Sequence, residues 1–591
     1  MNRLVVFKFF VFAVAIAVLA RLFYWQFLSS FSARASYSLE NEIPAPHGEI
    51  FASDGFPLVT NQEAFLLYAK PREITRDPNV IAQIISELLI SEKYARPPST
   101  ADAVGQATAA AGPSKVEQEQ KDDEIKKKQA DLATKLSDKA LSWVQLARKV
   151  TKDIKEKLEA EKIIGLGFER DDKRLYPEAS MAANLLGFVG SDKYGKDTGY
   201  FGLEGYWDKQ IRGKPGRVGS EKDPFGFPIL IGKYSEVKPL QGSSIHTNID
   251  RSIQFIVEDK LKNAVEKYGA KDGSVIVQDP KTGHILAMAT FPSYNPAFFQ
   301  EFDDKLFKNP VVADTYEPGS TFKLFVMAAA LDLSIVSPQT RCDVCLGPRQ
   351  IGGFEISTWN KKYYPESTMA EIIQHSDNVG MTFVSEKLGL DKFYNYIQKF
   401  GFGQKTGIDL QEEVAAPLRD KDDWRKIDLA TASFGQGIAV TPIQMIQALS
   451  AIAAGGKLIS PKVAAKITDA SRQEIVKPDF ERQIISPKTA ALITEMMVNA
   501  VDHGEAQAFK PKGYRIAGKT GTAQIPVAGH YDPDKTIASF IGFAPADNPR
   551  FTMLVRFTEP ASSPFGSETA APTFFAIAQE LFNYWGIPQS R

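Results

Sequence analysis

The chain opens on its strongest apolar signal. Phe9 to Ala20 is uninterrupted, and from Leu4 to Leu28 only Lys8, Arg21 and Gln26 break the run. Roughly 20 helical residues cross the apolar core of a bilayer, so the pattern predicts a membrane-spanning helix. Lys8 and Arg21 would snorkel to the interfaces, and Phe23, Tyr24 and Trp25 suit an aromatic belt. Arg3 and Lys8 precede the run, which predicts an N-terminus inside and everything after the helix outside. Ala33-Arg34-Ala35 fits a small-x-small cleavage site. It lies far beyond Ala20, however, with bulky Phe23 to Leu28 between, so an uncleaved single-pass anchor within residues 1–30 is the expectation.

Beyond the anchor the periodicity changes several times. Glu49–Phe51 and Ala64–Ala69 read as strands around an Asp54-Gly55 turn. Residues 96–117 have the Ala, Pro, Ser, Gly and Gln composition of a linker. Residues 118–162 are dense in Lys, Glu and Ala and predict one or two exposed helices with i,i+4 charge pairs. Residues 174–240 are turn-rich and irregular. From Thr247 onward the chain is richer in apolar residues. Ser274–Gln278 and His284–Ala289 predict a hairpin closed by Asp279-Pro280-Lys281-Thr282-Gly283. Phe322–Leu333 and Pro442–Ala454 follow as helices, then Phe540–Phe543 and Phe551–Phe557 as strands, then a helix over Ala571–Trp585. Strands, helices and strands in that order indicate an α+β domain. The pattern predicts an anchor at 1–30, a first domain at 40–240 carrying an insertion at 96–162, and a second domain at 245–591.

Composition narrows the classes. Apolar residues make up 43% and charged residues 24%, so most of the chain is globular, while a net charge of −1 offers no field for nucleic acid. The two cysteines stand in one Cys-x-x-Cys, Cys342 and Cys345. No further ligands lie nearby, so no metal site is expected. A local disulfide, two idle thiols or a redox switch remain open, and export permits the disulfide.

The candidate chemistry lies in three short motifs: Ser320-Thr321-Phe322-Lys323, Ser376-Asp377-Asn378 and Lys519-Thr520-Gly521. Pro318-Gly319 breaks the chain before Ser320, so Ser320 falls at a helix N-terminus with Lys323 one turn on, on the same face. A serine hydroxyl needs a base. Lysine serves only if burial or a neighbouring cation such as Lys519 lowers its pKa. Ser376 and Asn378 sit between two helical runs, Thr368–His375 and Val379–Leu388, where they can relay a proton and hold Lys323 or a substrate amide. An ordinary helix-capping cluster is the alternative there. Lys519-Thr520-Gly521-Thr522 reads as an edge strand. Lys519 and the Thr520 and Thr522 hydroxyls can hold a terminal carboxylate, and Gly521 lets a substrate backbone approach. The backbone N–H groups of Ser320 and Thr522 are candidates for an oxyanion hole. Each motif alone is an everyday cap, turn or helix face; their order on one exported chain is not.

With its flanks, the set resembles the class B penicillin-binding proteins, the monofunctional peptidoglycan transpeptidases. Tyr316-Glu317-Pro318-Gly319-Ser320-Thr321-Phe322-Lys323 is similar to the family's nucleophile motif, and Ala517 to Gln524 to its third motif. Arg174-x-Tyr176-Pro177 and Gly202-Leu203-Glu204 are similar to its non-catalytic pedestal. Where the family opens with Arg-Gly-x-Ile-x-Asp-Arg, this chain reads His47-Gly48-Glu49-Ile50-Phe51-Ala52-Ser53. Phe400 to Gly407 and Ser433 to Gly437 with Val440-Thr441-Pro442 resemble the division-type branch. Neither a glycosyltransferase segment nor C-terminal repeats are expected.

The resemblance implies an elongated pedestal and a transpeptidase domain with a central antiparallel sheet flanked by helices. It implies D,D-transpeptidation of peptidoglycan stem peptides on lipid-linked precursor strands, β-lactam binding, and no cofactor. The expected partners are a SEDS-type glycan polymerase and other division proteins of the inner membrane, with the catalytic domain periplasmic. A D,D-carboxypeptidase or β-lactamase using the same serine is the alternative enzyme. For the latter, Glu412 and Glu413 are available as a base for water, though no spacing marks either. A non-enzymatic β-lactam-binding receptor or scaffold is the third reading.

Overall fold

The apolar run forms one helix, α1 (Arg3–Phe23), in a computed structural model described for residues 3–24, 26, 38–94, 115–221, 234–527 and 530–589. Val5–Phe23 is long and apolar enough to cross a membrane, and its apolar surface is exposed among the described residues. Trp25 and the Ala33-Arg34-Ala35 site lie outside the described residues.

The N-terminal domain carries a small α/β lobe. Strand β1 (Ala64–Ala69) is followed by α2 (Pro78–Tyr94), α3 (Lys115–Ser137), β2 (Val144–Thr151), α4 (Lys152–Ala160) and β3 (Leu166–Arg170), with the strands in the order β2-β1-β3. Most of the expected linker, residues 96–114, lies outside the described residues. The expectation of exposed helices throughout 118–162 is corrected by β2. This strand pairs antiparallel with β1 and buries Leu146 and Val150. Its Arg148 and Lys149, which read locally as helix-surface charges, instead reach Asp171 and Asp197 across the lobe. Nor is α3 solvated all round, because Leu132 and Leu136 are fully buried.

Residues far apart in sequence close the rest of this domain. Buried Arg174 meets Glu204 at 2.8 Å and donates to Asn61 Oδ1 at 2.9 Å. His47 stands beside them, its pKa lowered to about 4 by burial and then by Arg174. The ring is therefore neutral where the resembling family carries an arginine. Gly48 is held to glycine because a methyl group there would lie 1.9 Å from the Ser243 carbonyl oxygen.

The second domain is built on a five-stranded antiparallel sheet. It comprises α5 (Arg251–Tyr268), β4 (Asp272–Gln278), β5 (Ile285–Phe291), α6 (Lys323–Asp332), α7 (Met369–Gln374), α8 (Asn378–Leu388), α9 (Pro442–Ala453), α10 (Pro487–His503), β6 (Ala517–Val527), β7 (His530–Ala544), β8 (Phe551–Thr558) and α11 (Ala570–Trp585). The strand order is β5-β4-β8-β7-β6. On one face α5 and α11 enclose a core that includes Val257, Leu261, Phe540, Phe574 and Phe582. On the other lies the larger helical core, with α6 at its centre and Leu324 to Ala330 all buried. A helix apolar on every side is a core helix, and that burial governs the chemistry of the lysine at its start. Cys342 and Cys345 are joined in a disulfide, both buried.

Candidate active site

Ser320 lies in a 3-10 turn, Gly319–Phe322, and Lys323 is the first residue of α6. Gly319 has φ of +56°, and a methyl group there would lie 3.0 Å from the Thr522 carbonyl oxygen. The turn bearing Ser320 is thus pressed against β6 at Thr522. Gly435 closes the other side, since a methyl group on it would come within 2.2 Å of the Gly319 carbonyl oxygen. Glu317, just ahead of the turn, accepts from Gly437 N–H at 3.0 Å and from the Tyr531 hydroxyl at 3.1 Å. That contact ties the start of β7 to the segment that leads into the Ser320 turn.

Lys323 is completely buried. Its Nζ donates to the Ser376 carbonyl oxygen at 2.6 Å, to Asn378 Oδ1 at 2.8 Å and to Ser376 Oγ at 3.2 Å. Lys323 and Ser320, expected on the same face one turn apart, are joined by no hydrogen bond among the described residues; the ammonium is aimed at the α7–α8 turn. That turn is shaped for the purpose. Ser376 has φ of +57°, a left-handed conformation costing about 1 kcal/mol for a residue with a side chain. Asp377 caps α8 by accepting from Gly380 N–H at 3.1 Å. The capping and catalytic readings of Ser376-Asp377-Asn378 therefore divide by residue: Asp377 caps, while Ser376 and Asn378 face Lys323.

Burial pushes the Lys323 pKa well below the usual lysine value, Lys519 pushes it the same way, and Asp377 and Glu505 oppose. Lys519 is also buried and its pKa lowered by burial, with Glu505 opposing. Of the three acceptors around Lys323 Nζ, only the Ser376 hydroxyl has a proton of its own. It can donate back once the amine is neutral.

As the outermost strand, β6 presents Thr520 and Thr522 to the cleft. Lys519 Nζ donates to Thr520 O at 3.2 Å and Oγ1 at 3.1 Å. The Thr522 hydroxyl accepts from Gly566 N–H at 3.1 Å. The reason expected for Gly521 is corrected. A methyl group there would lie 2.4 Å from Ser539 Oγ and 2.8 Å from Thr321 Cγ2. The space it leaves is filled by the protein, letting the Ser320 turn seat on the sheet, and is not kept open for a substrate.

These elements enclose a cavity of about 450 Å³ whose lining includes Ser320, Ser376, Asn378, Thr520 and Thr522. Trp359 and Phe565 stand edge to face at its rim, 5.7 Å between ring centroids. Glu505, also in the lining, is absent from the sequence expectations; a lone glutamate in a short loop carries no periodic or motif signal. Glu412 and Glu413 do not line the cavity. Glu412 accepts from the backbone of Gly202 at 3.0 Å and Asn309 at 3.4 Å, and Glu413 accepts from Thr406 N–H at 2.5 Å and its hydroxyl at 2.6 Å. Their roles are structural. Among the described residues no cluster of His, Cys, Asp and Glu could hold a metal ion.

Comparison with known proteins gives a consistent result. Residues 273–579 match the family described as the penicillin binding protein transpeptidase domain, and residues 42–247 the penicillin-binding protein dimerisation domain. Stage V sporulation protein D of Bacillus subtilis is 31% identical over 560 residues, 94% of this chain and 81% of that one. The peptidoglycan D,D-transpeptidase FtsI of Escherichia coli K12 is 32% identical over 438 residues, 74% of this chain and 71% of that one. Among solved structures, penicillin binding protein 3 of Mycobacterium tuberculosis complexed with aztreonam superposes with a TM-score of 0.67 at 26% identity, covering 93% of this chain and 98% of that one.

Proposed function

The chain belongs to the penicillin-binding protein transpeptidases, and on that premise we propose that Ser320 is the nucleophile with which it cross-links peptidoglycan. It is a peptidoglycan D,D-transpeptidase of the division type and binds β-lactams. The observation that carries the residue assignment is the Lys323 amine, fully buried and bonded to Ser376 and Asn378 in the cleft that Ser320 lines.

In this reading Ser320 Oγ attacks the penultimate D-Ala carbonyl of a stem peptide and its proton passes to Lys323 Nζ. The oxyanion is met by the Ser320 and Thr522 backbone N–H groups, one such donor typically contributing about 3 kcal/mol. The tetrahedral species collapses to an ester, and the departing D-Ala amine takes a proton from Lys323 through the Ser376 hydroxyl. The amine of a second stem peptide then attacks the ester, gives up a proton along the same route and restores Ser320. Asn378 orients Lys323, and Lys519, Thr520 and Thr522 dock the terminal carboxylate along β6.

Residues 40–240 act as pedestal and 245–591 as catalytic domain, a division supported by the two matched ranges. With α1 as anchor the enzyme is held at the membrane on its periplasmic side, N-terminus in the cytoplasm. Arg3 and Lys8 ahead of the apolar run support that orientation. Anchor and pedestal together contact a SEDS-type polymerase; a polymerase pull-down unchanged by deletion of residues 1–240 would remove that proposal.

Intact-protein mass spectrometry with penicillin, followed over time, tests the assignment. A long-lived adduct is expected on the wild type and none on Ser320→Ala. An adduct on Ser320→Ala defeats it, and rapid turnover of the drug points to a β-lactamase instead.

A further inference from the structure

One carboxylate in the cleft has no part in that mechanism. Glu505 follows α10, is exposed and lines the cavity beside Thr520. Its Oε2 accepts the Thr520 hydroxyl proton at 3.0 Å, while Lys519 Nζ donates to the same hydroxyl oxygen at 3.1 Å. The hydroxyl has one proton to give, and here an internal anion takes it. Glu505 is also close enough to raise the pKa of both buried lysines. Its negative charge is therefore felt throughout the region where a terminal carboxylate must dock.

We propose that Glu505 is an internal occupant of the carboxylate-docking subsite: it holds the Thr520 hydroxyl in the empty enzyme and must yield it to the carboxylate of a donor peptide or β-lactam. This rests on the transpeptidase reading and adds a specificity determinant to it. A ligand carboxylate meets Lys519 and Thr520 only after displacing a like charge, because two carboxylates cannot share one hydroxyl proton and repel each other at contact distance. Glu505 thus weakens anionic ligands selectively. A ligand whose carboxylate is masked has no claim on the Thr520 hydroxyl and does not meet the competition.

The selectivity separates this role from a structural one. Acylation of the full chain is followed by intact mass for a penicillin and for its methyl ester, with wild type and Glu505→Gln. The quantity read is the ratio of the two second-order rate constants, free acid over ester. Glutamine keeps the size and an acceptor oxygen but removes the charge, so the ratio is expected to rise about five- to tenfold. A fold defect or a general change in Lys323 basicity moves both rates together and leaves the ratio fixed. An unchanged ratio overturns the proposal. A falling ratio overturns it too, and would show that Glu505 serves chiefly to keep Lys519 charged. If the wild type takes up neither compound, the transpeptidase reading itself fails; if it takes up both, only the role of Glu505 is at stake.

Discussion

In the proposed mechanism Lys323 concentrates the chemistry in one side chain. As the proposed base it accepts the Ser320 proton only when neutral, and burial first, then Lys519, hold its pKa well below the lysine range, against Asp377 and Glu505. Acylation should therefore climb with pH and level off well below the ordinary lysine pKa of about 10.4. The signs of the neighbours follow. Glu505→Gln removes an anion that favours the ammonium, so the ascending limb shifts to lower pH. Lys519→Met removes a cation that disfavours it, so the limb shifts up. Rate–pH profiles showing either shift reversed would contradict this account of Lys323 as the base. Gly521 gives a steric prediction. A methyl group 2.4 Å from Ser539 Oγ and 2.8 Å from Thr321 Cγ2 must push the Ser320 turn off β6. Gly521→Ala should cost about 1–3 kcal/mol of stability and slow acylation at least about tenfold, since small misplacements of reacting groups are costly. Thermal melts and adduct time courses check the two effects separately.

At the scale of elements, the turn between α7 and α8 performs two tasks. Asp377 caps α8 while its neighbours hold Lys323. Asp377→Ala should lower stability by about 1 kcal/mol and move the acylation limb to lower pH. Asp377→Asn should keep the cap and recover the melting temperature while leaving the pH shift in place. A variant pair in which stability and pH profile move together would argue against two separable roles. The elements also show what could be read locally. The helix at α6, the β4–β5 hairpin and the edge strand β6 carry their own signals: an all-apolar helix behind a Pro-Gly break, a turn with Asp-Pro-Lys-Thr-Gly, and a motif with a glycine. Strand β2 carries none. Val144–Thr151 holds a glutamine, an arginine and a lysine, and only pairing with β1 and the partners Asp171 and Asp197 make it a strand. Propensity in so short a segment is overridden by cross-strand packing.

At the scale of the whole molecule, the two domains are joined by polar contacts the sequence does not advertise. Gln411 accepts from Phe201 N–H at 2.6 Å, and Glu412 from Gly202 N–H at 3.0 Å and Asn309 N–H at 3.4 Å. The short helix Gly202–Tyr206 of the pedestal is thereby fastened at its start to the catalytic domain by a half-buried carboxylate, whose pKa burial raises. Glu412→Ala should cost about 2 kcal/mol, the range for hydrogen bonds to a charged group. It should also speed proteolysis at the junction while leaving the adduct at Ser320 intact. A variant as resistant as wild type would mean this contact does not hold the domains together.

The sequence by itself determined the apolar anchor helix, the order of the domains and the three motifs, because each is read from residues adjacent along the chain, and the resemblance carried by the ordered motifs supplied the reaction class. Hydrophobic runs, helix breaks and short motifs are local quantities. The tertiary structure alone decided which way Lys323 points, why position 521 is glycine, that Glu412 and Glu413 serve the framework, and that Glu505 stands beside Thr520 of β6. Those facts depend on burial, on the field of neighbouring charges and on contact between residues from 15 to 210 positions apart, none of which is read from a single motif of the chain.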